Sequence, residues 1–317
     1  MAAYYTFEDL SGGRPDDTKT DNPYHDLITS CKNDPAEIQK RYNNHRTNRN
    51  AQQKDKLLAS DFPGVTIDQI LAKLESPQQN PGYVDPRHCL VFWARPPARA
   101  KALIAETQQA LKEVAPNLWL MPQDNLHMTA LEVVHSLTEP EIDALVAQIR
   151  PHAETITDWT AEHRCRLVKP MVSFDAQALA LSWLPAAGEP SQGTSNDKSD
   201  EYTYHHLRRD LFGLASGTGV TVASRYVIPS AHLTIGRFID KSDFELPDGS
   251  VDREKVAKLV EKIEKINASL KEKYWPKEGE KTVEGGEWVV GDEKGLDFRK
   301  GTLWYGGGES VRLGRGA

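Results

Sequence analysis

The chain has 317 residues, 39 Lys and Arg against 46 Asp and Glu, 38% apolar residues and a net charge of −7. That balance excludes a generic nucleic-acid coat, and no apolar run approaches the ~18 residues of a membrane span. Cys31, Cys89 and Cys165 lie far apart without a C-x-x-C spacing, which fits a reducing compartment and speaks against a disulfide scaffold or a structural zinc site.

The opening MAAYYTFEDLSGG lacks a basic stretch followed by an apolar one, so no signal peptide is predicted. A soluble protein of the cytoplasm, with the nucleus also open to it, is the expectation. Residues 1–84 are polar and read as a mostly helical N-terminal extension. The spacing predicts one helix over 34–58 and another over 65–75, with Ile67, Ile70, Leu71 and Leu74 on one face. Lys40, Arg41, Arg46, Arg49, Lys54 and Lys56 read as the solvated face of the first helix rather than as a polyanion site.

From residue 87 the pattern changes to alternating strands and helices. RHCLVFWARP (87–96) reads as a strand ended by Pro96-Pro97, and Leu103, Ala110, Leu111 and Val114 mark a helix over 98–114. Strand texture returns over 117–134. Thr138-Glu139-Pro140-Glu141 is a capping box, opening a helix that buries Ile142, Leu145, Val146 and Ile149. Two strands follow within 166–185. Residues 186–201, rich in Gly, Pro and Ser, read as a flexible surface insertion. A helix over 202–215, a strand over 222–239 and a long amphipathic helix over 252–274 come next, and two or three strands over 286–308 close the order. Two halves with one sequence of elements suggest an internal duplication. Lobe one would span about 87–165 and lobe two about 202–285, sharing the remaining strands of a domain over 85–317.

Each half carries the same small pattern, Asn125-Leu126-His127-Met128-Thr129-Ala130 and Ser230-Ala231-His232-Leu233-Thr234-Ile235. On a strand, His and Thr two apart share a face, while Met128, Ala130, Leu233 and Ile235 face the core. With ten His and 19 Thr in the chain, about 0.6 bare His-x-Thr matches are expected by chance. Requiring apolar residues at the alternate positions lowers that to about 0.1. His45-Arg46-Thr47 fails the requirement; His127 and His232 both pass.

This pair of motifs resembles the duplicated His-x-Thr/Ser-x signature of the two-histidine phosphoesterases, which include the so-called RNA 2′,5′-ligases and the cyclic nucleotide phosphodiesterases. The resemblance covers about residues 87–310. It implies a bilobal α+β fold with antiparallel sheets lining a central cleft and helices outside. It also implies metal-free chemistry on 2′,3′-cyclic or 2′,5′-linked phosphates, with no cofactor. Residue by residue it reaches only His127, Thr129, His232 and Thr234. The N-terminal extension and the 186–201 insertion depart from the compact members, and bear on substrate identity.

Around the motifs, Phe238, Trp304 and Tyr305 are candidates for holding a base. Phe238, six residues after His232, is expected on the His232 face, and Trp304 and Tyr305 on opposite faces of the final strand. Arg237 is expected to point away from the cleft, and the direction of Lys169 is not fixed by the pattern. His88, His135, His152 and His163 have no matched partner and read as structural or exposed. His205-His206 on a helix do not share a face, so chelation by the pair is not expected. Gly306-Gly307-Gly308 reads as a tight turn.

The expected function is metal-independent hydrolysis of a cyclic phosphodiester on a nucleotide or RNA end. His127 and His232 would act as acid and base, and Thr129 and Thr234 would donate to phosphate oxygens. The alternatives are cleavage or ligation of 2′,5′-phosphodiesters in RNA, and a non-catalytic nucleotide- or RNA-binding module. No obligatory protein partner or membrane is implied. The first 84 residues hold no matched pair, so a chain starting near residue 85 is expected to keep its catalytic residues while losing solubility or substrate selectivity; loss of all turnover in a folded chain of that kind would point to Tyr4 or Tyr5 as a substrate contact.

Overall fold

The computed structural model describes residues 8–12, 21–191, 200–224, 226–277, 280 and 282–316; Tyr4, Tyr5 and residues 192–199 of the insertion lie outside the described residues. The fold is α+β, with two antiparallel sheets and a helical N-terminal region, as expected. The first sheet runs, in spatial order, β3 (Met128–Leu137), β1 (His88–Ala94), β8 (Lys294–Gly301) and β9 (Glu309–Arg315). The second runs β2 (Trp119–Leu120), β6 (Ala231–Arg237), β5 (Ala178–Pro185), β4 (Cys165–Phe174) and β7 (Glu287–Val290). Each sheet therefore mixes strands from both halves of the sequence.

The two-residue period explains how one strand serves two surfaces. Leu90, Phe92 and Ala94 of β1 join the main core, whereas Cys89, Val91 and Trp93 form a separate small cluster with Leu303 on the other face. Helices cover the core faces. α2 (Pro35–Leu58), α4 (Ala98–Lys112) and α9 (Arg253–Tyr274) pack on the second sheet, and α5 (Glu139–Ile149) and α6 (Ala153–Thr157) on the first. α8 (Tyr204–Ser216) touches both β3 and β4, and so bridges the sheets.

Local chemistry sets the helix starts. Asp34 caps α2 by accepting from the Ala36 amide, with Pro35 in the first turn, and Thr138 with Glu141 forms the expected capping box of α5. α8 uses a His in the reciprocal role: Nδ1 of His206 accepts from the Thr203 amide.

Several strand and helix boundaries differ from the sequence pattern, and proline or capping explains the first three. The helix expected over 65–75 is only α3 (Gln69–Leu74), because Asp68 leaves the helix to cap it and accepts from the Leu71 amide. The 117–134 segment is two strands. Pro122 turns the chain, so that β2 pairs with β6 in one sheet and β3 with β1 in the other. The strand expected over 222–239 begins only at Ala231, two residues after Pro229, which has no amide hydrogen to offer a ladder. The last strand is β9, beyond the 286–308 segment, and Trp304 and Tyr305 sit in the turn before it rather than on a strand.

The N-terminal helices are part of the core. Tyr24, Ile28, Ile38, Tyr42, Leu57, Phe62 and Val65 belong to the same buried cluster as the sheets. Arg46, expected on a solvated face, is 5% exposed and donates 2.7 Å to the Lys169 carbonyl, and Arg49 pairs with Asp175 at 2.9 Å. The flanks of the 186–201 insertion are tied down as well: Glu189 pairs with Lys169, and Asp200 with Arg166. No helix among the described residues is long and apolar enough to cross a membrane.

Candidate active site

The two motifs reach one cleft from different sheets. His127 stands immediately before β3, where the chain crosses from the second sheet into the first, and His232 is the second residue of β6. Met128 and Ala130, and Leu233 and Ile235, are buried as expected, while His127, Thr129, His232 and Thr234 line a cavity between the sheets. Cys89, Val91, Trp93, Leu303 and Trp304 supply its apolar wall, and Arg208 and Arg237 supply cations.

Each imidazole is held through Nδ1 by the residue two positions earlier. His127 Nδ1 lies 2.7 Å from the Asn125 carbonyl oxygen; because a carbonyl only accepts, the proton is on Nδ1, and neutral His127 keeps its Nε2 lone pair. His232 Nδ1 lies 3.0 Å from the Ser230 hydroxyl. The His127 ring also stacks on Trp93, with centroids 3.8 Å apart and planes at 18°, and Arg95 and Arg299 lie over the same indole at 4.7 and 5.1 Å. Gly306 closes this corner. Its φ is +80°, a Cβ there would collide with Asn125, and the neighbouring Tyr305 carbonyl accepts from the Asn125 amide group at 3.0 Å.

Burial makes both imidazoles poor bases. Burial pushes His127 down to about 3; the Asn125 carbonyl opposes this, and the positive charges of Arg95 and Arg299 add to it. Burial likewise pushes His232 down to about 4, with the nearby Arg208 charge acting in the same direction.

A one-residue bulge after each threonine sets which later side chains enter the cleft. In β6, Ala180 pairs with Thr234 but Leu179 with Gly236, so Ile235 is extra and the alternation changes phase. Arg237 is thereby turned into the cleft, against the expectation that it points away. The same phase change removes Phe238 from the site: it is 2% exposed and packs edge-to-face on Phe244 at 5.6 Å. In β3, Trp93 pairs with Thr129 but Phe92 with Leu131, so Ala130 is extra and Glu132 faces the cleft. The motifs thus extend to His-x-Thr-x-x-Glu on one wall and His-x-Thr-x-x-Arg on the other.

Of the two turn aromatics, Trp304 lines the cleft, with the Arg87 guanidinium 4.4 Å over its ring. Tyr305 is not among the lining residues. Its hydroxyl donates 2.7 Å to Asp68, whose other oxygen pairs with Arg237 at 3.2 Å, and it accepts from Arg87 at 3.1 Å. Lys169 is also outside the cleft, paired with Glu189. His205 and His206 do not form a chelating pair: His205 lies between Tyr42 and the Tyr24 carbonyl, and His206 Nε2 reaches Asn33 at 2.7 Å. Among the described residues, no three His, Cys, Asp or Glu side chains are grouped so as to hold a metal ion.

No family model matches the chain, and no curated protein matches it. Among solved structures, it is similar to a conserved protein of unknown function from Agrobacterium tumefaciens. The identity is 14% and the TM-score 0.46, over 73% of this chain and 88% of that one. A likeness at that level carries no functional argument.

Sequence reasoning overlooked Trp93, Glu132, Arg208, Tyr226 and Ser230 as lining residues. Ser230 was within reach of it, since Asn125 and Ser230 occupy the same place two residues before their histidines. Trp93 belongs to an apolar run that reads as core. Arg208 comes from a helix distant in sequence from either motif, and no local pattern connects them.

Proposed function

We propose that the protein is a phosphoesterase that opens a cyclic phosphodiester, the 2′,3′-cyclic phosphate of a nucleotide or RNA end, by general acid–base catalysis at His127 and His232. The observation that carries this reading is the convergence of two His-x-Thr pairs from separate sheets on one cleft that also holds two arginines. In-line displacement at phosphorus needs a proton taken from water on one side and one given to the departing ribose oxygen on the other. Two imidazoles on different walls suit those jobs, and Thr129 and Thr234 hydroxyls suit the non-bridging oxygens, where negative charge grows. Hydrolysis adds the water oxygen to phosphorus and breaks one P–O ester bond, leaving a phosphomonoester and a free ribose hydroxyl.

The depressed imidazoles give the scheme a pH signature. A base at about 3 or 4 stays neutral at pH 5, whereas the acid form becomes more populated with each step downward from neutrality. In the free enzyme kcat/KM is therefore expected to rise as pH is lowered from about 8 to about 5. The direct test is turnover of a small 2′,3′-cyclic nucleotide and of a cyclic-phosphate-ended RNA, with and without EDTA. His127→Ala and His232→Ala are each expected to lower the rate by about 10²–10⁴-fold, and EDTA to leave it unchanged. Folded His variants that turn over at the parent rate, or RNA binding without turnover by the parent protein, would overturn the proposal.

A further inference from the structure

Among the described residues, Arg208 stands apart from the other charges that line the cleft. Arg237 is paired with Asp68. Arg208, on the bridging helix α8, is 1% exposed and pairs with no carboxylate among the described residues. Nη1 donates 2.8 Å to the Ile228 carbonyl and Nη2 3.3 Å to the Tyr24 hydroxyl, while Nε is buried without a hydrogen-bond partner. Its other neighbours are the aromatic faces of Tyr24 at 4.5 Å and Tyr204 at 5.9 Å and the hydroxyl of Tyr42. A guanidinium cannot shed its proton in a protein, so this charge remains in place, desolvated, at the cleft wall. A buried cation is costly unless an anion compensates it, and a buried N–H left unpaired adds to the cost. Tyr204 also ties this corner to the first motif, donating 3.1 Å to the Thr129 carbonyl.

We infer that Arg208 is the anion-binding residue of the cleft, its guanidinium, which pairs with no carboxylate among the described residues, receiving the non-bridging oxygens of a phosphate group. The inference rests on the proposed phosphodiester reading for its substrate but not for its chemistry, because any small phosphate-like anion satisfies the same group. Arg237 takes the lesser part, since Asp68 already neutralises it.

Inorganic phosphate is the probe, applied to the full chain. Titration is expected to raise the thermal midpoint of the parent protein and to shift the Arg208 Nε–H resonance in spectra of protein labelled with ¹⁵N-arginine. Arg208→Met is expected to weaken phosphate binding by about tenfold or more, the loss of charge-assisted hydrogen bonds. Arg208→Lys keeps the charge and much of the stem, so it decides the matter if the Met variant does not fold. Its affinity falls about fivefold or more, because an ammonium does not match two oxygens at once. Arg46→Lys is the matched comparison, another buried arginine without a carboxylate among the described residues but away from the cleft, and it retains parent affinity. Parent-like phosphate affinity in both Arg208 variants, an unresponsive Nε–H, or no phosphate binding by the parent would overturn the inference. Arg208-dependent phosphate binding in a protein that turns over no cyclic phosphate would overturn only the proposed activity.

Discussion

Consider a chain that begins at Asp85. It lacks Ile28, Ile38, Leu57, Phe62, Val65 and Leu71, each no more than 5% exposed in the full protein. At about 1.5–3 kcal/mol per buried side chain, six such residues correspond to about 9–18 kcal/mol of apolar burial. The remaining sheets would lose cover over a comparable apolar area, with the cost of ordering their own residues unchanged. A domain's whole margin is about 5–15 kcal/mol, so the loss is as large as the stability itself. Polar groups are stranded too: the Lys169 carbonyl loses Arg46, His205 loses Tyr42, and Arg237 and Tyr305 lose Asp68. The expectation that such a chain keeps its catalytic residues, at a cost only in solubility or substrate selectivity, therefore gives way to the prediction that it does not fold. Far-UV circular dichroism with thermal denaturation, and dye binding to exposed apolar surface, would test it. A truncated chain that unfolds cooperatively within about 5 °C of the full protein would refute the reasoning.

Stability is expected to fall on mild acidification. His127, His206 and His232 are held at about 3, about 4 and about 4, and His205 is also held low, chiefly by burial. The unfolded chain takes up protons near pH 6.5 and the folded one does not, so stability is full above that value and is lost as pH drops toward about 4. Between pH 7 and 5.5 each such histidine costs about 1 kcal/mol, and urea midpoints that stay level over that range would contradict the assignment. Asp68→Asn frees the Arg237 charge but removes the carboxylate that holds Arg237 and Tyr305 in place, and the loss of position is expected to outweigh the freed charge, raising KM for a cyclic phosphate about 5–10-fold with little change in kcat. A fall in kcat at constant KM, or no change in either, would count against Arg237 as a binding residue, and recovery in Asp68→Glu would support the positioning role.

Much of the fold was readable because period and capping are local. The long helix α9 announces itself in Val256, Leu259, Val260 and Ile263, all buried, and α5 in its capping box. The division of strands between sheets was not readable, because it depends on which edge each strand meets. Nothing within Trp119-Leu120 says that it pairs with β6 while the residues just after Pro122 cross to β1. The N-terminal helix misled for a related reason. Its polar sequence describes a solvated face accurately over Lys40 and Lys56, but Arg46 finds the Lys169 carbonyl on β4, Arg49 the Asp175 carboxylate just beyond that strand, and Lys54 the Glu264 carboxylate on α9.

The site was legible as far as strict alternation holds. His127, Thr129, His232 and Thr234 lie on uninterrupted stretches, and their shared face follows from a period of two. Beyond each threonine the ladder takes up one extra residue, Ala130 or Ile235, and every later side chain changes sides. One such insertion accounts for two reversals at once, Arg237 turned in and Phe238 turned out. Part of its cause lies off the strand: Gly236 sits so close to Leu118 and the Trp119 carbonyl that a Cβ would crowd both, so β2 presses on β6 where the alternation slips. The Thr-to-Arg237 spacing of three is thus a product of packing between two strands of remote sequence, which is why the arginine wall of the cleft is harder to read than its histidines.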